Sequence, residues 1–316
     1  LKLLNQTRNV GLKELIKSIG FKEINSSAVS FGIAPRINAC GRMGHQEEAL
    51  ELFLTNNIEE AKTITEKLNN YNSTRQEIER KIFNEALEKI QNEGNKSNTI
   101  VLAGENWHHG VIGIVSSKIT EMYFKPSILF SFEEDGIGKG SGRSIPGFDL
   151  HEALMKCKNV LEGFGGHSMA VGVSVAKDNF ENFKEEFLKL AKEADISSFV
   201  PVLNIDAVLN IDDINKQMVE SLSLLEPFGE ANTQPIFAFK GLKIQSIRSL
   251  TDGKHLKLSL KSNNNTFVNA IGFNLGYLAS EFKIGDKVDV AGNLEINSFN
   301  GVDSIQINLK DVMKSI

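Results

Sequence analysis

Cysteine is scarce in this chain of 316 residues: Cys40 and Cys157 are its only two, and no motif spacing links them. A disulfide framework or a four-thiolate zinc site therefore has nothing to build on. HExxH, Cys-x-x-Cys and His/Asp clusters at ligand spacing are missing too, so no metal site is expected from the chain's own ligands. Proline occurs six times and tryptophan once, and no apolar run reaches the roughly 18 residues that cross a bilayer. The N-terminus lacks the basic-then-apolar order of a secretory signal, and the cytosol is the expected compartment. Basic charge is not in excess either: 35 Lys and Arg face 40 Asp and Glu, a net charge of -5. That balance argues against a surface coated for wrapping duplex DNA, while leaving room for a local basic groove.

What is there is ordinary globular material. Hydrophobic residues make up 41% and charged residues 24%, which sets collagen-like and wholly disordered chains aside. The length predicts two or three compact units. The chain starts at Leu1 in the middle of a mixed polar and apolar stretch, as a piece of a longer protein would.

From Asn57 to Asn95 apolar residues recur at helical spacing with neither Pro nor Gly before Gly94. This predicts a long connecting helix, broken near Asn69 to Ser73 where the apolar repeat lapses. A short helix ahead of it follows a loop at Ala34 to His45. After Asn98, strand and helix alternate: strands at Thr99–Ala103, Pro126–Phe132, Gly138–Ile145 and Met169–Ala176, helices at Val111–Tyr123 and Phe148–Lys158, and a helix at Phe180–Ala194 capped by Asp178. A strand at Val202–Ile211 and a helix near Asp213–Leu225 lead into five short alternating segments, punctuated by Thr251-Asp252-Gly253, Ser262–Asn265 and Asn300-Gly301. Five strands so spaced predict a small barrel of the oligonucleotide-binding (OB) type. The expected fold is thus α/β plus β, with boundaries at 1–55, 56–97, 98–197 and 198–316.

Five segments could carry chemistry or binding. Gly138 to Ser144 packs three glycines, two hydroxyls and two cations into seven residues. It reads either as an anion site, with backbone N–H groups and a bidentate Arg143 offered to phosphate, or as a flexible hairpin rim. Phe164-Gly165-Gly166-His167 sets an imidazole after two glycines, which suits proton shuttling but equally a turn with a satisfied histidine. Trp107-His108-His109-Gly110 lies between a strand and a helix N-terminus, where amides favour an anion; the tryptophan can simply anchor the loop. Arg36, Asn38 and Arg42 share one polar loop that could clamp a phosphodiester or stay a solvated rim. Between Lys240 and Lys261, six basic residues face the single acid Asp252. With Lys243, Arg248 and Lys257 on the first barrel strands, that face suits a single-stranded nucleic acid, although edge-strand lysines also guard against aggregation.

In order along the chain, the segments IAPRINACGRMG, NSTRQEIE, WHHGVIGIVSSKI, GKGSGRSI, GFGGHSMAVG, PFGEANTQPIF, KHLKL and AIGFN resemble the RecJ family of DHH phosphoesterases, single-strand-specific 5'-to-3' DNA exonucleases, from about Gly11 to the C-terminus. The resemblance implies the C-terminal part of such an enzyme: the tail of the catalytic domain, a connecting helix, a DHH-associated α/β domain and an OB domain. The family holds two ions, Mn2+ or Mg2+, through His-x-Asp-x-Asp, Asp-His-His and further aspartates of an N-terminal domain, and none of these motifs occurs here. By resemblance, Ser141 and Arg143 hold a terminal 5'-phosphate, Gly165, Gly166 and His167 face the scissile phosphate, and Arg36, Asn38, Arg42 and His108 lie near the strand. It further implies single-stranded DNA as partner, with a single-strand-binding protein and a helicase beside it, a monomer, and a role in DNA repair and recombination. Two alternatives remain at this point: a non-catalytic single-strand-binding module that retains the fold, and a hydrolase of short oligonucleotides or cyclic dinucleotides, against which the barrel weighs.

Overall fold

A computed structural model describes residues 1–21, 23–94, 97–134, 136–299 and 301–315. Asn95 and Asn300, which the sequence reading placed at a helix end and in a turn, lie outside them. The chain divides into two compact units, Leu1–Pro201 and Val202–Ile316.

The first unit begins with four helices, α1 (Lys2–Asn5), α2 (Val10–Ile19), α3 (Ala34–Arg42) and α4 (Gln46–Leu54), and continues into α5 (Ile58–Asn92). The expected loop at Ala34 to His45 is mostly α3. A π-helical turn at Ala28–Ile33 runs straight into it, and Pro35 sits in its first turn, where a missing N–H costs nothing.

Helix α5 starts where Asn57 accepts from the amides of Glu59 and Glu60, and it runs unbroken for 35 residues, about 50 Å. Its first half buries Ala61, Ile64 and Leu68 in a core shared with α2, α3 and α4; its second half buries Ile82, Ala86 and Ile90 against the α/β layer. The predicted break near Asn69 to Ser73 does not occur, because the polar stretch between those cores is internally satisfied. Asn69 accepts from Arg36 Nε at 2.6 Å, Asn72 accepts from Arg75 at 2.6 Å, and buried Glu79 pairs with both Arg75 and Lys118. The apolar repeat lapses there while the helix does not.

The α/β layer is a five-stranded sheet in the order β1 (Ile100–Glu105), β2 (Ser127–Phe132), β3 (Ile137–Arg143), β5 (Ala170–Ala176), β4 (Gly163–His167). Strands β1 and β2 are parallel, joined by α6 (His109–Tyr123), and the other pairs are antiparallel. One face packs Val101, Ile128, Phe130, Val171 and Val173 on α7 (Leu150–Lys156) and α8 (Phe180–Glu193). The other face packs Ile100, Leu102 and Leu129 beneath α5 and α6. Asp178 does not cap α8: it lies inside a 3-10 turn, Lys177–Asn179, through which the chain enters that helix.

In the second unit β7 (Phe237–Leu250), β8 (His255–Lys261), β9 (Phe267–Gly272), β11 (Val302–Lys314) and β10 (Lys287–Phe299) pair in sequence, and β10 returns to β7 to close a five-stranded barrel. Bulges at Ile244/Ser246 and Ala291/Gly292 give the strands the bend that closure needs. Phe239, Ile244, Leu256, Leu258, Val288 and Ile307 fill the interior. Of the expected strand Val202–Ile211 only β6 (Ala207–Val208) forms, parallel to β7. Helix α9 (Lys216–Leu222) follows it.

Candidate nucleic-acid interface

The alternation of β3 sorts its residues by face. Gly138, Gly140 and Gly142 turn toward the α7/α8 core, where an added Cβ would lie 2.6 to 2.8 Å from Phe132, Phe130 and Val171. These three glycines therefore make room for ring and branched side chains lying flat on the strand. They do not free amides for an anion, because those amides serve the sheet ladders with β2 and β5. Lys139, Ser141 and Arg143 turn the other way, toward α6.

There Arg143 meets groups from two other elements. Its Nη1 donates to Ser141 Oγ at 3.2 Å and to the Gly142 carbonyl at 2.7 Å. Its Nη2 would lie 3.2 Å, and Ser141 Oγ 2.8 Å, from a Cβ added at Gly113 of α6. Arg42, at the end of α3, donates through Nη1 to the Gly110 carbonyl in the first turn of α6 at 3.0 Å. Gly110 makes that contact possible, since a Cβ there would fall 2.3 Å from the Arg42 carbonyl oxygen. Burial, and then the charge of Arg42, push the Arg143 guanidinium below its ordinary pKa. Among the described residues neither arginine has a carboxylate partner within 4 Å. Two permanently charged guanidiniums, one half-buried, with a hydroxyl between strand and helix, make a pocket of positive potential that a phosphate would neutralise.

His108 caps α6: its Nδ1 accepts from the Gly110 amide at 3.2 Å, which leaves the proton on Nε2 as a donor. Burial, and next the neighbouring His109, lower its pKa, so the ring is neutral at pH 7. Trp107 anchors the loop, buried and bonded through Nε1 to Glu85 of α5 at 2.7 Å.

The segment Gly165-Gly166-His167 forms the end of edge strand β4 where a turn was expected. Gly166 is required by the backbone, at φ +134 with the Ala170 carbonyl 2.3 Å from an added Cβ. Register then ties β4 to Arg143: Arg143 pairs with Ala170, and Ala170 with His167. Directly paired residues share a face, so exposed His167 lies on the same side as Arg143, two strand spacings or about 10 Å away. One step along, Ser141, Gly172 and Gly165 are likewise in register.

Arg36 and Asn38 do not join this group. Arg36 is used by the fold, donating to Asn69 and to the Gly32 carbonyl at 2.9 Å; Asn38 is exposed on α3, one helical turn from Arg42. Among the described residues no three His, Cys, Asp or Glu side chains converge to hold a metal ion. Both cysteines are buried, and burial raises each thiol to about 11.

On the barrel, Lys243, Arg248 and Lys257 are all exposed. Arg248 faces Lys257 directly across β7 and β8. Lys243 pairs with Lys261 on one side and Lys287 on the other, and Lys261 pairs with Phe267. The Lys261 ammonium lies 5.3 Å from the centroid of the Phe267 ring, which is 61% exposed and so open to a stacking partner. In this unit the ion pairs within 4 Å among the described residues both belong to Lys216, leaving the row Lys287–Lys243–Lys261 without carboxylates. Like charges placed directly opposite destabilise a sheet, and an anionic ligand relieves that repulsion. Lys261 stood within the basic stretch seen in the sequence. Lys287 and Phe267 did not stand out, because only strand register brings them beside Lys243 and Lys261.

Two family models match: the DHHA1 domain over residues 75–193 and the RecJ OB domain over residues 205–311. Among curated proteins, the single-stranded-DNA-specific exonuclease RecJ of Bacillus subtilis is 32% identical over 320 residues, covering 100% of this chain and 41% of its own length. The protein of the same name from Escherichia coli is 30% identical, covering 96% of this chain and 54% of its own. The crystal structure of Thermus thermophilus RecJ with Mg2+ superimposes with a TM-score of 0.82 at 30% identity, over 100% of this chain and 48% of that one. The chain carries a DHHA1 domain followed by a RecJ OB domain. It spans about half the length of its RecJ relatives, the region holding the DHH-associated and OB domains. The corresponding Thermus thermophilus structure with Mn2+ fits equally well, with a TM-score of 0.83.

Proposed function

We propose that this chain is the substrate-gripping part of a RecJ-type 5'-to-3' single-stranded-DNA exonuclease acting in DNA repair and recombination. One observation carries the reading: Arg42, Ser141 and Arg143 converge from α3 and β3 on the first turns of α6 with no carboxylate among the described residues to neutralise them. Such a pocket suits the doubly charged phosphate at a 5' end better than an internal phosphodiester, because the terminal group offers more charge and more acceptor oxygens. Arg42, Ser141 and Arg143 bind that phosphate, and His108 offers its Nε2 proton as a further donor. His167, on the same face of the sheet, donates to the next phosphate along the strand, with Gly165 leaving that face open beside it and Gly166 setting the backbone turn that presents it.

The partition that goes with this function is 1–55 as the tail of the metal-binding domain, 56–97 as the connector, 98–197 as the domain that reads the end, and 198–316 as the barrel that holds the following nucleotides. Among the described residues no three His, Cys, Asp or Glu side chains converge on a metal ion, and no step of the hydrolysis is assigned to them. Mn2+ or Mg2+ belongs to the whole enzyme, as do its encounters with a single-strand-binding protein and a helicase. Fluorescence anisotropy with a single-stranded oligonucleotide, 5'-phosphorylated against 5'-hydroxyl, tests the reading. Tighter binding of the phosphorylated strand is expected, and equal affinities would overturn it.

A further inference from the structure

Glycine in the interior of a strand weakens it, so each one asks for a reason in packing, in backbone conformation or in the close approach of a ligand. On β3, β4 and β5 most of the glycines have a reason inside the fold. Gly138, Gly140 and Gly142 would strike core side chains, and Gly166 has its positive φ and a carbonyl 2.3 Å from an added Cβ. Gly172, in the middle of β5, has neither: nothing lies within 4 Å of a Cβ added there, and its φ is outside the left-handed range. Its position is nevertheless specific, directly paired with Ser141 on one side and Gly165 on the other. It lies two register positions from Arg143, on the face of the sheet that carries the pocket.

We propose that Gly172 is a specificity-determining residue of the end-binding pocket, admitting the 5'-terminal nucleotide by leaving the sheet bare beside Ser141 and Arg143. The inference rests on the end-binding reading above and adds a steric element to it. Directly paired strand residues have Cβ atoms about 4.5 to 5.5 Å apart, so the methyls of a valine at 172 would stand against the Ser141 hydroxyl and over the space where a bound nucleotide's sugar meets the backbone. Gly113 acts from the opposite wall. A Cβ there would press on Ser141 Oγ and Arg143 Nη2, so its absence lets the two phosphate donors seat against α6. The two positions differ in a useful way: a side chain at 113 disturbs the protein, whereas one at 172 disturbs only what binds.

The test is Gly172→Val in the whole chain, with Gly172→Ala as a smaller step, each measured by thermal unfolding and by anisotropy with 5'-phosphorylated and 5'-hydroxyl single strands. Valine suits a strand, so the unfolding midpoint is expected to hold or rise. The preference for the phosphorylated end is expected to fall at least tenfold in Gly172→Val and less in Gly172→Ala, while the salt dependence of binding, which the barrel lysines set, stays put. An unchanged preference in both variants overturns the proposal and leaves the end-binding reading standing. Failure of both variants to fold also overturns it, because the claim is that the fold does not need this glycine. Absence of any end preference in the unmodified chain removes the reading itself, and the proposal with it.

Discussion

The phosphate pocket of the α/β layer and the lysine row of the barrel use positive charge in opposite ways. At the pocket two guanidiniums are fixed by hydrogen bonds, Arg143 to Ser141 and Gly142, Arg42 to Gly110, and Arg143 is partly withdrawn from water. On the barrel Lys243 and Lys287 stand exposed on flexible stems, side by side and, among the described residues, without an ion-pair partner. Fixed, desolvated donors discriminate between ligands, since a phosphate that fails to fill them leaves charge uncompensated. Exposed lysines attract any phosphate backbone, chiefly by releasing its counterions. Under the proposed function the comparison divides the labour: the pocket reads what kind of end arrives, and the barrel sets how tightly a strand of any sequence is held.

The sharpest way to break this division is Arg143→Ala. Loss of a bidentate charged hydrogen bond costs about 1.5 to 3 kcal/mol, or about 10- to 150-fold in affinity. That loss is expected for 5'-phosphorylated strands alone, with the 5'-hydroxyl strand and the salt slope little changed. Equal losses on both strands would show that Arg143 holds an internal phosphate.

Replacing Lys243, Lys261 and Lys287 together by glutamine makes the converse prediction, with a smaller effect per residue. If each meets one phosphate of a single strand, the slope of log K against log salt flattens by about 2, at roughly 0.7 per contact. The ratio between phosphorylated and hydroxyl ends is expected to survive intact. Thermal stability should not fall and should rise slightly at low salt, because the row of like charges is gone. An unchanged slope in salt titrations would move the strand to another face of the barrel.

Both sites were visible in the sequence as composition, and neither as geometry. The density of Gly, Ser and Arg from Gly138 to Ser144 marked β3, yet the glycines turned out to serve Phe130, Phe132 and Val171 on the far face, and only the alternation of the strand shows this. The strand–helix alternation after Asn98 and the five barrel strands were legible because turn residues punctuate them. Helix α3 was not, since Pro35, Gly41 and the polar residues between read as loop until the preceding π-helical turn supplies a helical entry. Likewise the polar middle of α5 read as a break because satisfied polar pairs leave no apolar periodicity. What lay beyond reach was register. Ser141 meets Gly172, and Lys243 meets Lys287, only through the sheet, and no local pattern encodes pairings across such chain separations.

Arg36 draws the boundary of the pocket, and the smallest effect is expected there. It belongs to the same sequence motif as Arg42, six residues earlier on α3, but its guanidinium is turned to Asn69 of α5 and the Gly32 carbonyl. Partial burial also lowers its pKa, and among the described residues no carboxylate lies within 4 Å of it. Arg36→Met keeps the apolar stem and removes the two hydrogen bonds, so it should cost about 1 to 2 kcal/mol of stability, read in a urea titration. End preference and salt slope should both match the parent chain. A loss of end preference as large as that of Arg143→Ala would extend the pocket across α3 and make its second arginine a ligand contact as well as a fold contact.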